Sequence, residues 1–97
     1  MTLDDFKKSI DNGKRPNGVS PALLAMWCEA RGEWDEAHRI VQESDERSAA
    51  WVHAYLHRKE GDTSNAGYWY SRAGRKMSDR SFEHEWEEIV ARLIEGD

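Results

Sequence analysis

The sequence predicts an all-α domain of about six helices, in which two helical hairpins lie between an N-terminal helix and a C-terminal capping helix. Three observations carry this expectation. Every long periodic segment repeats its apolar residues at three- and four-residue spacings, and none alternates as a half-buried strand would. Cap residues and glycines fall at the intervals that start and stop helices. A chain of 97 residues has room for one hydrophobic core, so residues 1–97 are expected to form a single domain.

Thr2, with Asp5 three residues on, offers a capping box for a helix over 3–11 whose Leu3, Phe6 and Ile10 share a face. Asp11-Asn12-Gly13 ends it, and a turn-rich connector leads to Ser20-Pro21, an N-cap followed by a first-position proline. The first hairpin, 20–44, is a helix from Pro21 to Arg31 carrying Leu23, Leu24, Trp27 and Cys28, a stop at Gly32, and a helix through Trp34, Ala37, Ile40 and Val41. In the second hairpin, 45–74, Asp45 is expected to cap a helix over Glu46 to Glu60, where Trp51, Val52, Tyr55 and Leu56 make one broad face. After Gly61-Asp62, a helix from Thr63 to Ala73 holds Tyr68-Trp69-Tyr70 in succession, which predicts contact on several sides. Phe82, Trp86, Ile89, Val90, Leu93 and Ile94 then give the capping helix, 80–95, a single buried stripe.

Charged residues make up 34 % of the chain and hydrophobic ones 38 %, so five Trp, three Tyr and two Phe must supply much of the core. The net charge of −5 argues against a nucleic-acid or anionic-membrane partner, because phosphate binding needs a basic face. No apolar run approaches the roughly 18 residues of a membrane span, and Met1 is followed by a polar, acidic stretch, so a cytoplasmic protein is expected. Cys28 is alone and is expected to be a buried, inert thiol. With no Ser-His-Asp order, glycine-rich phosphate loop or cysteine cluster, no cofactor is expected and no catalytic class is indicated.

Gly32-Glu33-Trp34-Asp35-Glu36-Ala37 aligns with Gly61-Asp62-Thr63-Ser64-Asn65-Ala66 at a period of about 29 residues. With Ala25, Ala54, Tyr70 and Ala73, these segments resemble the tetratricopeptide repeat, in which small residues let two helices pack closely around a Gly-acid turn. Tyr68-Trp69-Tyr70-Ser71-Arg72-Ala73 also looks like the second helix of Sel-type repeats. The run from His53 to Asp62, with Tyr68 to Arg75, is similar to segments in a group of small bacterial proteins, a resemblance that implies no activity. Two units are fewer than a stable stack usually needs, so the terminal helices are expected to act as covers.

Two sets of residues stand out as candidate sites. The resemblance implies that Trp51, Tyr55, Arg58 and Lys59 line a concave groove, where aromatic and basic side chains suit a peptide or protein partner. The alternative is that Trp51 and Tyr55 are simply core beneath the N-terminal or C-terminal helix. On the same helix His53 and His57 lie about 40° apart with Glu60 about 20° from His53, a spacing that suits a divalent metal with His38 or Glu29 as a further ligand. The alternative is that the histidines are interior packing residues hydrogen-bonded to carboxylates or backbone. A helical interaction module is thus the first expectation, a metal-binding protein or metal-dependent enzyme the second, and a homodimer meeting through unburied aromatics the third. Arg72, Arg75 and Lys76 around Gly74, and Glu83, Glu85, Glu87 and Glu88 early in the last helix, are read as complements to helix dipoles and as solvated surface.

Overall fold

The structure is a computed structural model that describes residues 1–96; Asp97, the last residue of the expected domain, lies outside the described residues. Among the described residues six helices follow one another: α1 (Leu3–Asp11), α2 (Pro21–Ala30), α3 (Trp34–Gln42), α4 (Arg47–Lys59), α5 (Thr63–Ala73) and α6 (Phe82–Ile94). No strand occurs among the described residues, and no helix is long and apolar enough to cross a membrane.

The helix starts follow from local chemistry. Thr2 and Asp5 close both halves of the expected capping box. The side chains of Ser20, Asp62 and Ser81 each accept a bond from the backbone N–H three residues on. Asp45 does not cap α4 as expected: Glu46 occupies the cap position, without a side-chain bond to the helix. The 29-residue period reappears in the backbone. The Glu33 N–H donates to the Cys28 carbonyl and the Asp62 N–H to the His57 carbonyl, both at 2.9 Å, while Gly32 and Gly61 sit between them at φ 82° and 88°. This helix stop needs one residue in the left-handed region, where a Cβ is penalised, and glycine supplies it at both positions.

The paired helices α2 with α3 and α4 with α5 pack against each other through these turns, and α3 joins the pairs by contacting α4. Helices α1 and α6 cover the other side of α2, and α6 also covers α4, so α2 and α4 form a middle layer. Their composition matches that position. Alanine at 22, 25, 49, 50 and 54 lets neighbours approach closely, and larger residues such as Met26, Val52, Tyr55 and Leu56 fill the space between. Phe6 and Ile89, Val90 and Leu93 bring the terminal helices into the same core. Of the three successive rings on α5, Tyr70 is buried and Trp69 half-buried, but Tyr68 is 54 % exposed, so that helix is covered on fewer sides than its sequence implied.

A candidate metal centre between α3, α4 and α5

Helix α4 carries two different polar faces. On the face toward α3 and α5, His53 and His57 lie one turn apart with their rings stacked, centroids 4.9 Å apart. His38, projecting from α3, meets both edge-on at 4.6 Å and 5.2 Å. Trp34 fixes α3 in this position: its indole N–H donates to the Leu56 carbonyl at 2.9 Å, and its ring stacks on His38. Trp69, from α5, stacks on His53 at 3.9 Å and closes the far side. Three imidazoles from two helices therefore share one aromatic chamber, and each offers a nitrogen within 4.8 Å of the others.

His53 Nε2 and His38 Nε2 are 3.0 Å apart. Two nitrogens held about 2.05 Å from a tetrahedral zinc lie about 3.3 Å apart, so this pair already has nearly the spacing of an edge of the coordination tetrahedron. The Nδ1 of His57 is 2.6 Å from Glu60 Oε1, which leaves its Nε2 as the ring nitrogen with no carboxylate partner. That carboxylate stands in the position from which outer-shell groups fix the tautomer and orientation of a metal-bound imidazole. His53 Nδ1 is buried and has no hydrogen-bond partner among the described residues.

The electrostatics favour uncharged rings at His38 and His53. Burial, together with the neighbouring His38 and His57, lowers the His53 pKa to about 4. Burial and His57 also hold His38 below its ordinary value. Neutral imidazole is the form that binds metal, so at pH 7 the chamber does not have to shed a proton from His53 before ligation.

The expected ligand set is thus rearranged. His53 and His57 are brought together as their spacing implied, and His38, one of two candidates for a further ligand, joins them. Glu60 stands behind His57, and with His57 and Asp62 it forms a separate, more exposed trio of donors. Glu29 is elsewhere, 2.5 Å from Lys59 Nζ.

The lane expected to receive a partner is not open. Trp51 and Tyr55 are 4 % and 1 % exposed, because α6 lies over this face of α4 where a longer repeat array would leave a groove. Arg58 is also turned inward, 2.9 Å from Glu85 Oε1 with its guanidinium 4.5 Å from the centre of the Phe82 ring, and Lys59 is held by Glu29. These residues hold α6 and α2 to α4.

Sequence reasoning passed over Glu85. Read as one of a solvated acidic run, it is 1 % exposed and accepts from the Tyr70 hydroxyl, Arg58 Nη1 and the Trp51 indole N–H. The signal lay in its register, four residues before Ile89 on the buried stripe of α6. Its exposed neighbours Glu83, Glu87 and Glu88 fit the surface reading.

No protein-family model, no curated protein and no solved structure matches the chain.

Proposed function

We propose that this protein binds a divalent transition metal, with zinc the best fit, through His38, His53 and His57. The observation that carries the proposal is the convergence of three imidazoles, two of whose nitrogens lie 3.0 Å apart, in a chamber walled by Trp34 and Trp69. In the metal-free chamber one of the facing Nε2 atoms of His38 and His53 donates an N–H to the other, while His53 Nδ1 stays buried without a partner among the described residues, which is costly. A cation can take the place of the shared proton and draw in the third imidazole, and the rings of His38 and His53 are already held toward the neutral form it needs. Three nitrogen ligands also leave a fourth tetrahedral position for water or another donor.

The test is a titration of metal-free protein with Zn²⁺ by calorimetry, with Co²⁺ absorption reporting the geometry. Saturable binding at one ion per chain is expected, together with a rise in melting temperature. At a hundredfold excess over Kd, binding to the native state alone adds about 2.7 kcal/mol, which corresponds to ~10 °C or more in a domain of this size. Both effects should vanish in a His38→Gln, His53→Gln variant that keeps its helical circular dichroism. Folded wild-type protein that takes up no ion at micromolar Zn²⁺ would refute the proposal.

A further inference from the structure

A second concavity lies on the opposite side of the molecule's middle layer, where α1, α2, α4 and α6 meet, with a volume of about 440 Å³. Its walls include Tyr55, Phe82 and Trp86, and Phe82 is 41 % exposed although it is one of the largest apolar side chains in the chain. Glu29 lines the same cavity. Its side chain is 4 % exposed, and while Oε1 meets Lys59 Nζ, Oε2 is buried with no hydrogen-bond partner among the described residues. The Trp86 indole N–H is likewise buried and unpartnered. An acceptor buried without a donor, on a residue lining an aromatic-walled cavity, is costly to the fold unless a ligand supplies the donor.

The character of that ligand follows from the groups present. A buried carboxylate oxygen accepts hydrogen bonds and favours a cation, and Lys59 already demonstrates the fit of an ammonium to this carboxylate. Aromatic faces attract the same charge. Four carboxylates and two lysines line the cavity, so its net charge favours a cation as well. The volume is that of a small-molecule site and not of an extended peptide groove. We propose that this cavity binds a small protonated primary amine with an apolar body, its ammonium donating to Glu29 Oε2 and its body lying against Tyr55, Phe82 and Trp86.

The test uses the full chain and 2-phenylethylamine, followed through the indole N–H signals in ¹⁵N-resolved spectra. A saturable shift of the Trp86 signal is expected. 2-Phenylethanol, with the same body and no charge, should bind at least about tenfold more weakly, as should the amine to a Glu29→Gln variant, since one charge-assisted bond is lost in each case. Phe82→Ala alters an exposed side chain, so it should fold as the wild type does and weaken binding severalfold, which keeps the proposal testable if Glu29→Gln does not fold. Equal binding of amine and alcohol, wild-type affinity in Phe82→Ala, or no saturable shift up to about 10 mM amine would overturn it.

Discussion

Replacing Glu85 by alanine should come close to unfolding the protein. The carboxylate is 1 % exposed and is shared by donors from α4 and α5: Tyr70 Oη at 2.6 and 2.8 Å, Arg58 Nη1 at 2.9 Å and Trp51 Nε1 at 3.3 Å. Arg58 has a further bond to the Arg80 carbonyl, which moderates its loss. Removing one partner of a buried ion pair costs about 3–5 kcal/mol, and each neutral donor left buried without an acceptor adds roughly 1–3 kcal/mol. Because Arg58 is 17 % exposed and the donors act as one network, the total falls somewhat below the sum of the lower ends, at about 4 kcal/mol. A domain of this size holds together by roughly 5–15 kcal/mol and loses about 4–8 °C per kcal/mol, so the midpoint should fall by some 15–30 °C. Urea unfolding at pH 7, followed by far-ultraviolet circular dichroism, measures the difference. Glu85→Gln, which keeps shape and one acceptor oxygen, should lose only about 2 kcal/mol, and Tyr70→Phe about 1 kcal/mol. The double variant should be non-additive by at least about 1 kcal/mol. A loss under 1 kcal/mol for Glu85→Ala, or strict additivity with Tyr70→Phe, would refute the reasoning.

Acid should weaken the metal-free protein from about pH 6.5 downward. The His53 pKa falls from an ordinary 6.5 to about 4 in the folded state, so between these values the unfolded chain binds more protons and stability declines as pH drops. That contribution is complete above about pH 6.5 and amounts to at most about 3 kcal/mol; unfolding midpoints in urea from pH 7 to pH 4 should show the decline, and His53→Gln should flatten it. Trp51→Ala should cost about 3–5 kcal/mol, since the ring is 4 % exposed and Arg75 stacks 3.4 Å from its centre; a change within 1 kcal/mol in the same urea assay would restore the open-groove reading of α4.

The helices were legible because their signals are local. Ser20-Pro21, the Gly32 and Gly61 stops and the spacing of Ile89, Val90 and Leu93 act within a turn or two of chain, and each marks the element it implied. The candidate sites were legible only in part, because they depend on which faces meet. Periodicity put His53 and His57 on one side of α4, but only the packing of α3 selects His38 over Glu29 as their neighbour. Trp51 and Tyr55 looked alike as groove or core, since the choice turns on where α6 lies, a contact between residues 30 or more apart in sequence. Glu85 was misread for a related reason. Composition made it part of an acidic run, and its partners Arg58 and Tyr70 are distant in the chain.

The layering of the helices has a consequence for how the molecule opens. Nine of the thirteen residues of α4 are buried, against two of the nine in α3. Amides of α4 should therefore exchange with solvent mainly on global unfolding, and those of α3 earlier, through an opening of smaller free-energy cost. The three histidines straddle that boundary, His38 on the less buried helix and His53 and His57 on the more buried one. An ion held among them would bolt a weakly protected outer helix to the well-buried inner one, and it would slow exchange most in α3, a helix that contributes only one of the three ligands.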